Sequence, residues 1–139
     1  MRCGVMFQPM IVLAIGIGGA VGAITRYTVT SVLRHLLGES FPYGTLLVNL
    51  LGCFALGCIA ELAATWNETH PDRLPAWLHR GITIGLLGAL TTFSTFGHET
   101  IRHLERQEYL AGFLNIAVSV LVGLCAVAVG IAVARSFAN

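Results

Sequence analysis

The chain has 139 residues, of which 55% are hydrophobic and only 11% charged, and its formal net charge is +1. Soluble domains carry roughly 25% charged residues, so the composition excludes an ordinary soluble domain and indicates an integral membrane protein. The near-neutral balance gives no hold on nucleic acid.

Apolar stretches of about 20 residues cross a bilayer core of ~30 Å. They predict four transmembrane helices, at roughly 9–33, 43–65, 80–103 and 110–134, in one helical domain covering 1–139. The run that begins near Pro9 is too long for a signal-peptide core and lacks a clean cleavage site. Four helices pack about their own core and leave no room for a polar path, so a homo-oligomer is expected.

In the first span, GIGGAVGAITRY (Gly16 to Tyr27), the glycines do not make a dinucleotide-binding fingerprint. Val21 stands at the sixth position, where that pattern needs glycine, and no strand precedes it. Gly18 and Gly22 instead form a small-xxx-small face that lets membrane helices approach closely. Arg26, well inside the apolar run, must pair with carbonyls or a carboxylate, or face water. It either anchors the architecture or attracts anions. In the second span, Thr45 and Asn49 of PYGTLLVNLLGCFALG stand one helical turn apart on one face. The amide offers two donors and the hydroxyl one, as interhelical glue or as part of a path. Glu61 lies near the far end of the same span. Asn67-Glu68-Thr69 in the following loop matches a glycosylation sequon, a common chance match.

The third span contains GLLGALTTFSTFGHE, Gly85 to Glu99. In hydrocarbon, every polar or helix-loosening group needs an internal partner or a cavity. Gly85, Gly88, Thr91 and Thr92 predict a helix broken near its middle, with freed carbonyls able to bind a cation. Phe93 and Phe96 share a face, with Ser94 and Thr95 beside them. They are either core phenylalanines or two electropositive ring edges beside a narrow path, which would favour a small anion. In the fourth span Asn115 and Ser119 again stand at i and i+4. Three spans thus present polar faces whose side chains all donate hydrogen bonds and none of which is acidic, a pattern that suits an anion path better than a cation or proton path.

All eight basic residues are arginine. Arg2, Arg73, Arg80 and Arg135 fall on one predicted side; Arg34, Arg102 and Arg106 fall on the other, with Arg26 further in. The positive-inside rule finds almost no bias in that distribution. The chain either inserts both ways and pairs head to tail, or a weak bias still gives one orientation. Cys3, Cys53, Cys58 and Cys125 have no metal-ligand spacing and read as small packing residues. His98 and His103 are five apart, off the one-face spacing of a helical metal pair.

The segments GGAVGAITRY at 18–27, GTLLVNLLGCFALG at 44–57 and GALTTFSTFGHE at 88–99, followed by Asn115 and Ser119, resemble the Fluc, or CrcB, family of fluoride channels over nearly the whole chain. The resemblance implies an all-α, dual-topology homodimer in which two antiparallel copies enclose two narrow pores in the cell (plasma or inner) membrane. It implies that Phe93 and Phe96 contact fluoride by their ring edges and that Asn49 is an amide donor in the pore. Thr45 and Ser94 are then hydroxyls on the same path, and Asn115 and Ser119 its continuation on the fourth span. It further implies a buried structural sodium held by backbone carbonyls at Gly88 and Thr91, an arginine near the vestibule at Arg26, and an acidic residue after the aromatic pair at Glu99. The chain departs from the family pattern at Ala89, where a second glycine is usual, at Gly97, where serine is common, and at Asn115, where tyrosine is frequent. An amide at 115 still donates, so conduction is expected to survive with an altered rate or exit geometry.

Two other readings compete. A four-span exporter of the small multidrug type needs a glutamate within the first span, where this chain has Arg26 and no carboxylate before Glu39. A non-transporting assembly subunit predicts scattered polar positions instead of aligned faces. No nucleophile–base or metal-ligand set indicates an enzyme.

Overall fold

The computed structural model describes residues 8–69 and 74–138, with the side chains of 67–69 and 138 left aside. Arg2, Cys3, Arg73 and the side chains of the 67–69 sequon therefore lie outside the described residues. Every described element is helical: α1 (Pro9–Leu37), α2 (Tyr43–Thr69), α3 (Ala76–Arg80), a π-helical stretch (Gly81–Leu87), α4 (Gly88–Leu90), α5 (Phe93–Glu105) and α6 (Tyr109–Ala138). Three of these, Pro9–Leu37, Tyr43–Trp66 and Tyr109–Phe137, are long and apolar enough to cross a membrane.

Each boundary has a local cause. Pro9 occupies the first turn of α1, where a missing N–H costs nothing. Gly38 ends that helix at φ +80°, and its N–H returns to the Arg34 carbonyl at 2.9 Å. The third helical run, 76–90, stops at Thr91 and Thr92, both extended (ψ 155° and 117°), and resumes at Phe93. The helix is therefore broken near its middle, as the Gly-Thr cluster predicts. Gln107, at φ 61°, turns the chain from α5 into α6.

Two pairs of helices are packed backbone to backbone. α1 lies against the π-helical stretch: a side-chain carbon on Gly18 would strike the Gly81 carbonyl oxygen, and one on Gly22 that of Leu86. α2 lies against α6 in the same way, with Gly57 over the Val127 carbonyl and Gly130 over that of Phe54. Such approaches stabilise helix pairs in a medium that offers no hydrophobic drive between them. The buried core is accordingly small (Ile11, Val48, Ala63, Leu87 and Ala134 among the apolar side chains), while many large apolar residues face outward. α5 packs on α6 and also meets α2, which places the break beside Asn49.

Candidate functional site

A helix interrupted in an apolar setting exposes backbone groups that must be partnered. Asn49 does this on both sides of one residue. Its Oδ1 accepts the Thr92 N–H at 2.8 Å, and its Nδ2 donates to the Thr92 carbonyl at 3.2 Å. Thr92 then caps α5: its Oγ1 accepts the Thr95 N–H at 3.3 Å and lies 3.0 Å from the Thr95 hydroxyl and 3.2 Å from that of Ser94. On the other side of the break, the Thr91 N–H and Oγ1 both donate to the Leu87 carbonyl at 3.0 Å. Gly52 makes room for this arrangement, since any side chain there would collide with the Thr91 methyl group.

These bonds redirect two donors. In a continuous helix, Thr92 N–H would serve the Gly88 carbonyl and Thr95 N–H that of Thr91. With the first given to Asn49 and the second to Thr92 Oγ1, neither donor serves those carbonyls. Among the described residues no three His, Cys, Asp or Glu side chains converge. A cation at the break would therefore have to rely on backbone oxygens.

Beside the break lies a cavity of about 350 Å³. Asn49, Gly88, Thr91, Phe93, Phe96 and Ser119 all border it, and no charged side chain does. The two ring centroids stand 5.6 Å apart, with the ring planes tilted by 49°. Phe93 is 83% exposed, so this cavity is open along one flank. Asn49 spends one of its two N–H bonds on the Thr92 carbonyl and keeps the other.

The remaining predicted residues lie elsewhere. Thr45 and Glu99 border a second cavity of about 380 Å³, together with Arg34, His98, Arg102 and Arg106. There the Thr45 hydroxyl donates to Glu99 Oε1 at 2.7 Å, while Glu99 Oε2 is buried without a partner. Ser94 stands just past the break, tied to Thr92. Asn115 is 2% exposed, its amide donates to Thr100 Oγ1 at 2.9 Å, and it borders neither cavity. Arg26 is half-buried on α1, away from both.

Sequence reasoning counted Thr92 toward the break but not as the cap of α5, and it gave no role to Gly52 or Thr100. Thr92 carried a usable signal, a threonine three residues before another hydroxyl residue at a helix start. The other two are visible only once the helices are placed.

With this geometry in hand, comparison with known proteins is specific. The family profile described as "CrcB-like protein, Camphor Resistance (CrcB)" matches residues 13–131. The chain belongs to the CrcB family. Its relatives include the "Fluoride-specific ion channel FluC" of Dehalococcoides mccartyi, 44% identical over 119 residues, which is 86% of this chain and 88% of the relative. Proteins with the same description from Sorangium cellulosum (42% over 121 residues; 87% and 91% of the two chains) and Geotalea daltonii (44% over 124 residues; 89% and 96%) are similar to it. These CrcB relatives are named as ion channels and not as enzymes. With three helices able to span a bilayer, the chain is a multi-pass membrane protein and not an enzyme.

Proposed function

We propose that this protein is a fluoride channel that lets cytoplasmic fluoride leave passively across the cell membrane. The observation that carries the reading is the cavity at the doubly capped break: two phenylalanine rings, one uncommitted amide N–H and a serine, with no fixed charge around them. Fluoride is small and strongly hydrated, so a pore must replace its water with donors, yet must not hold it so tightly that it cannot leave. Asn49, Phe93, Phe96 and Ser119 form this set. Ser94 and Thr45 extend it toward the basic cavity, where Arg34, Arg102 and Arg106 outnumber Glu39 and Glu99 and raise the local anion concentration. Fluoride entering as neutral hydrofluoric acid would dissociate inside and return as the anion.

The open flank beside Phe93 supports a homodimer in which a second copy closes the path. The balanced arginines support an antiparallel, dual-topology pairing, with two pores, in the plasma or inner membrane. The Gly88 and Thr91 carbonyls, not served by the Thr92 and Thr95 N–H groups, suit a structural sodium ion, which would supply positive potential beside the path without lining it. Replacing sodium by a bulky organic cation on both sides is then expected to reduce fluoride flux.

The deciding experiment is ion efflux from liposomes containing the purified protein, followed with fluoride and chloride electrodes, for the wild type and Phe93→Ile. Fast fluoride loss without chloride loss, abolished by the substitution, is expected. Silence for fluoride from a stable, folded protein would overturn the reading and leave the polar faces as packing glue.

A further inference from the structure

The polar face of α6 divides. Ser119 borders the uncharged cavity, whereas Asn115, one turn earlier, is turned into the contact with α5. Its Nδ2 donates to Thr100 Oγ1 at 2.9 Å, and Thr100 Oγ1 donates in turn to the Phe96 carbonyl at 2.8 Å. Asn115 is 2% exposed and Thr100 6%. The relay therefore runs through a dry interface, where an unmade bond is expensive. It ends on the backbone of one of the two residues whose rings border the cavity.

We infer that Asn115 is a positioning residue which, through Thr100, fixes the rotation and height of α5 against α6 and so sets the Phe96 ring at the anion path. The inference rests on the fluoride-path reading above. It assigns Asn115 a role different from direct contact with the ion. The threonine's one proton goes to the Phe96 carbonyl, so its oxygen is left as an acceptor for the amide. Neither residue borders the cavity. A shift of α5 would move both rings together, because Phe93 and Phe96 lie one turn apart on the same helix.

The test measures fluoride efflux against fluoride concentration for the wild type, Asn115→Leu, Thr100→Val, the double variant and Thr100→Ser, with thermal unfolding in detergent as the folding control. Positioning predicts that Asn115→Leu and Thr100→Val each lower maximal flux about tenfold, the equivalent of one buried hydrogen bond. The double variant should be no worse than either single one, and Thr100→Ser, which keeps the hydroxyl, should restore flux. Full flux from Thr100→Val beside a slow Asn115→Leu would overturn the inference in favour of direct contact by Asn115. Lower thermal midpoints with unchanged flux in both would overturn it in favour of packing alone. Wild-type protein without fluoride flux would defeat the underlying reading and would be recognised separately from either outcome.

Discussion

Between Ala76 and Leu90 the third helix is held to α1 by backbone laid on backbone, whereas between Phe93 and Glu105 it is held by side chains. In the first half, Gly18, Gly22 and Gly85 remove the side chains that would keep the helices apart, and the helix relaxes into a π-helical stretch to fit. In the second half, four polar ties recur along α5: Asn49 to Thr92, Thr45 to Glu99, Asn115 to Thr100 and His103 to Glu108. Close backbone contact gives cohesion at the few positions where glycine stands. Directional bonds specify where a ring stands. The break at Thr91–Thr92 separates the two kinds of packing, and the uncharged cavity lies against it.

The largest effect that this contrast predicts falls on its seam. Asn49→Leu removes both bonds to Thr92, about 3 kcal/mol at ~1.5 kcal/mol for each buried hydrogen bond. If that loss falls on the conducting geometry, fluoride flux drops by about 100-fold. Efflux assays on protein shown to remain folded would measure it, and near-normal flux would show that the break holds without its clamp.

Next come the glycines. Gly22→Ala drives a methyl group into the Leu86 carbonyl and should cost about 2 kcal/mol as overpacking. Gly19→Ala has nothing within 4 Å of the added carbon, so it should be neutral or stabilise by up to ~1 kcal/mol. Thermal midpoints in detergent for the two variants would test whether cohesion in this half rests on single contact points. A smaller effect is expected at Thr45→Val, which removes the hydroxyl from Glu99 Oε1 while Oε2 is already unpartnered. A hydrogen bond to a carboxylate is worth about 1.5 kcal/mol or somewhat more. The half-saturating fluoride concentration should rise about tenfold, and Thr45→Ser should restore it.

The two halves also differ in how far they can be read from sequence. Small-xxx-small spacing belongs to one helix alone, so Gly18 and Gly22 identify a close-packed face before any partner is known. The break was legible because glycines and threonines crowd at one place in an apolar run. The partners of the polar ties were not. Thr45 and Asn49 share a face, yet they reach Glu99 and Thr92, seven residues apart in the chain, and so border different cavities. Asn115 and Ser119 also share a face, and the helix rotation divides them between an interhelical contact and a cavity. A polar face states that bonds must be made; only the crossing of the helices decides with whom.

The fourth tie is the weakest and sharpens the contrast from the other side. His103 Nδ1 lies 2.7 Å from Glu108 Oε2, and the imidazole stacks on Phe41 with centroids 6.3 Å apart. It thereby joins the α1–α2 loop to the α5–α6 turn at the mouth of the basic cavity. The histidine side chain is 7% exposed but that of Glu108 is 45% exposed, so water replaces the bond on the carboxylate when the imidazole is removed. His103→Phe keeps a ring against Phe41 and loses only the hydrogen bond, which should cost less than about 1 kcal/mol. Phe41→Leu keeps the hydrogen bond and loses the stack. If thermal midpoints fall further for Phe41→Leu than for His103→Phe, the end of α5 is held by ring packing, and directional control fades with distance from the break. If His103→Phe is the more damaging, polar ties set the register along the whole of α5, and the change in packing at Thr91–Thr92 is complete within one turn.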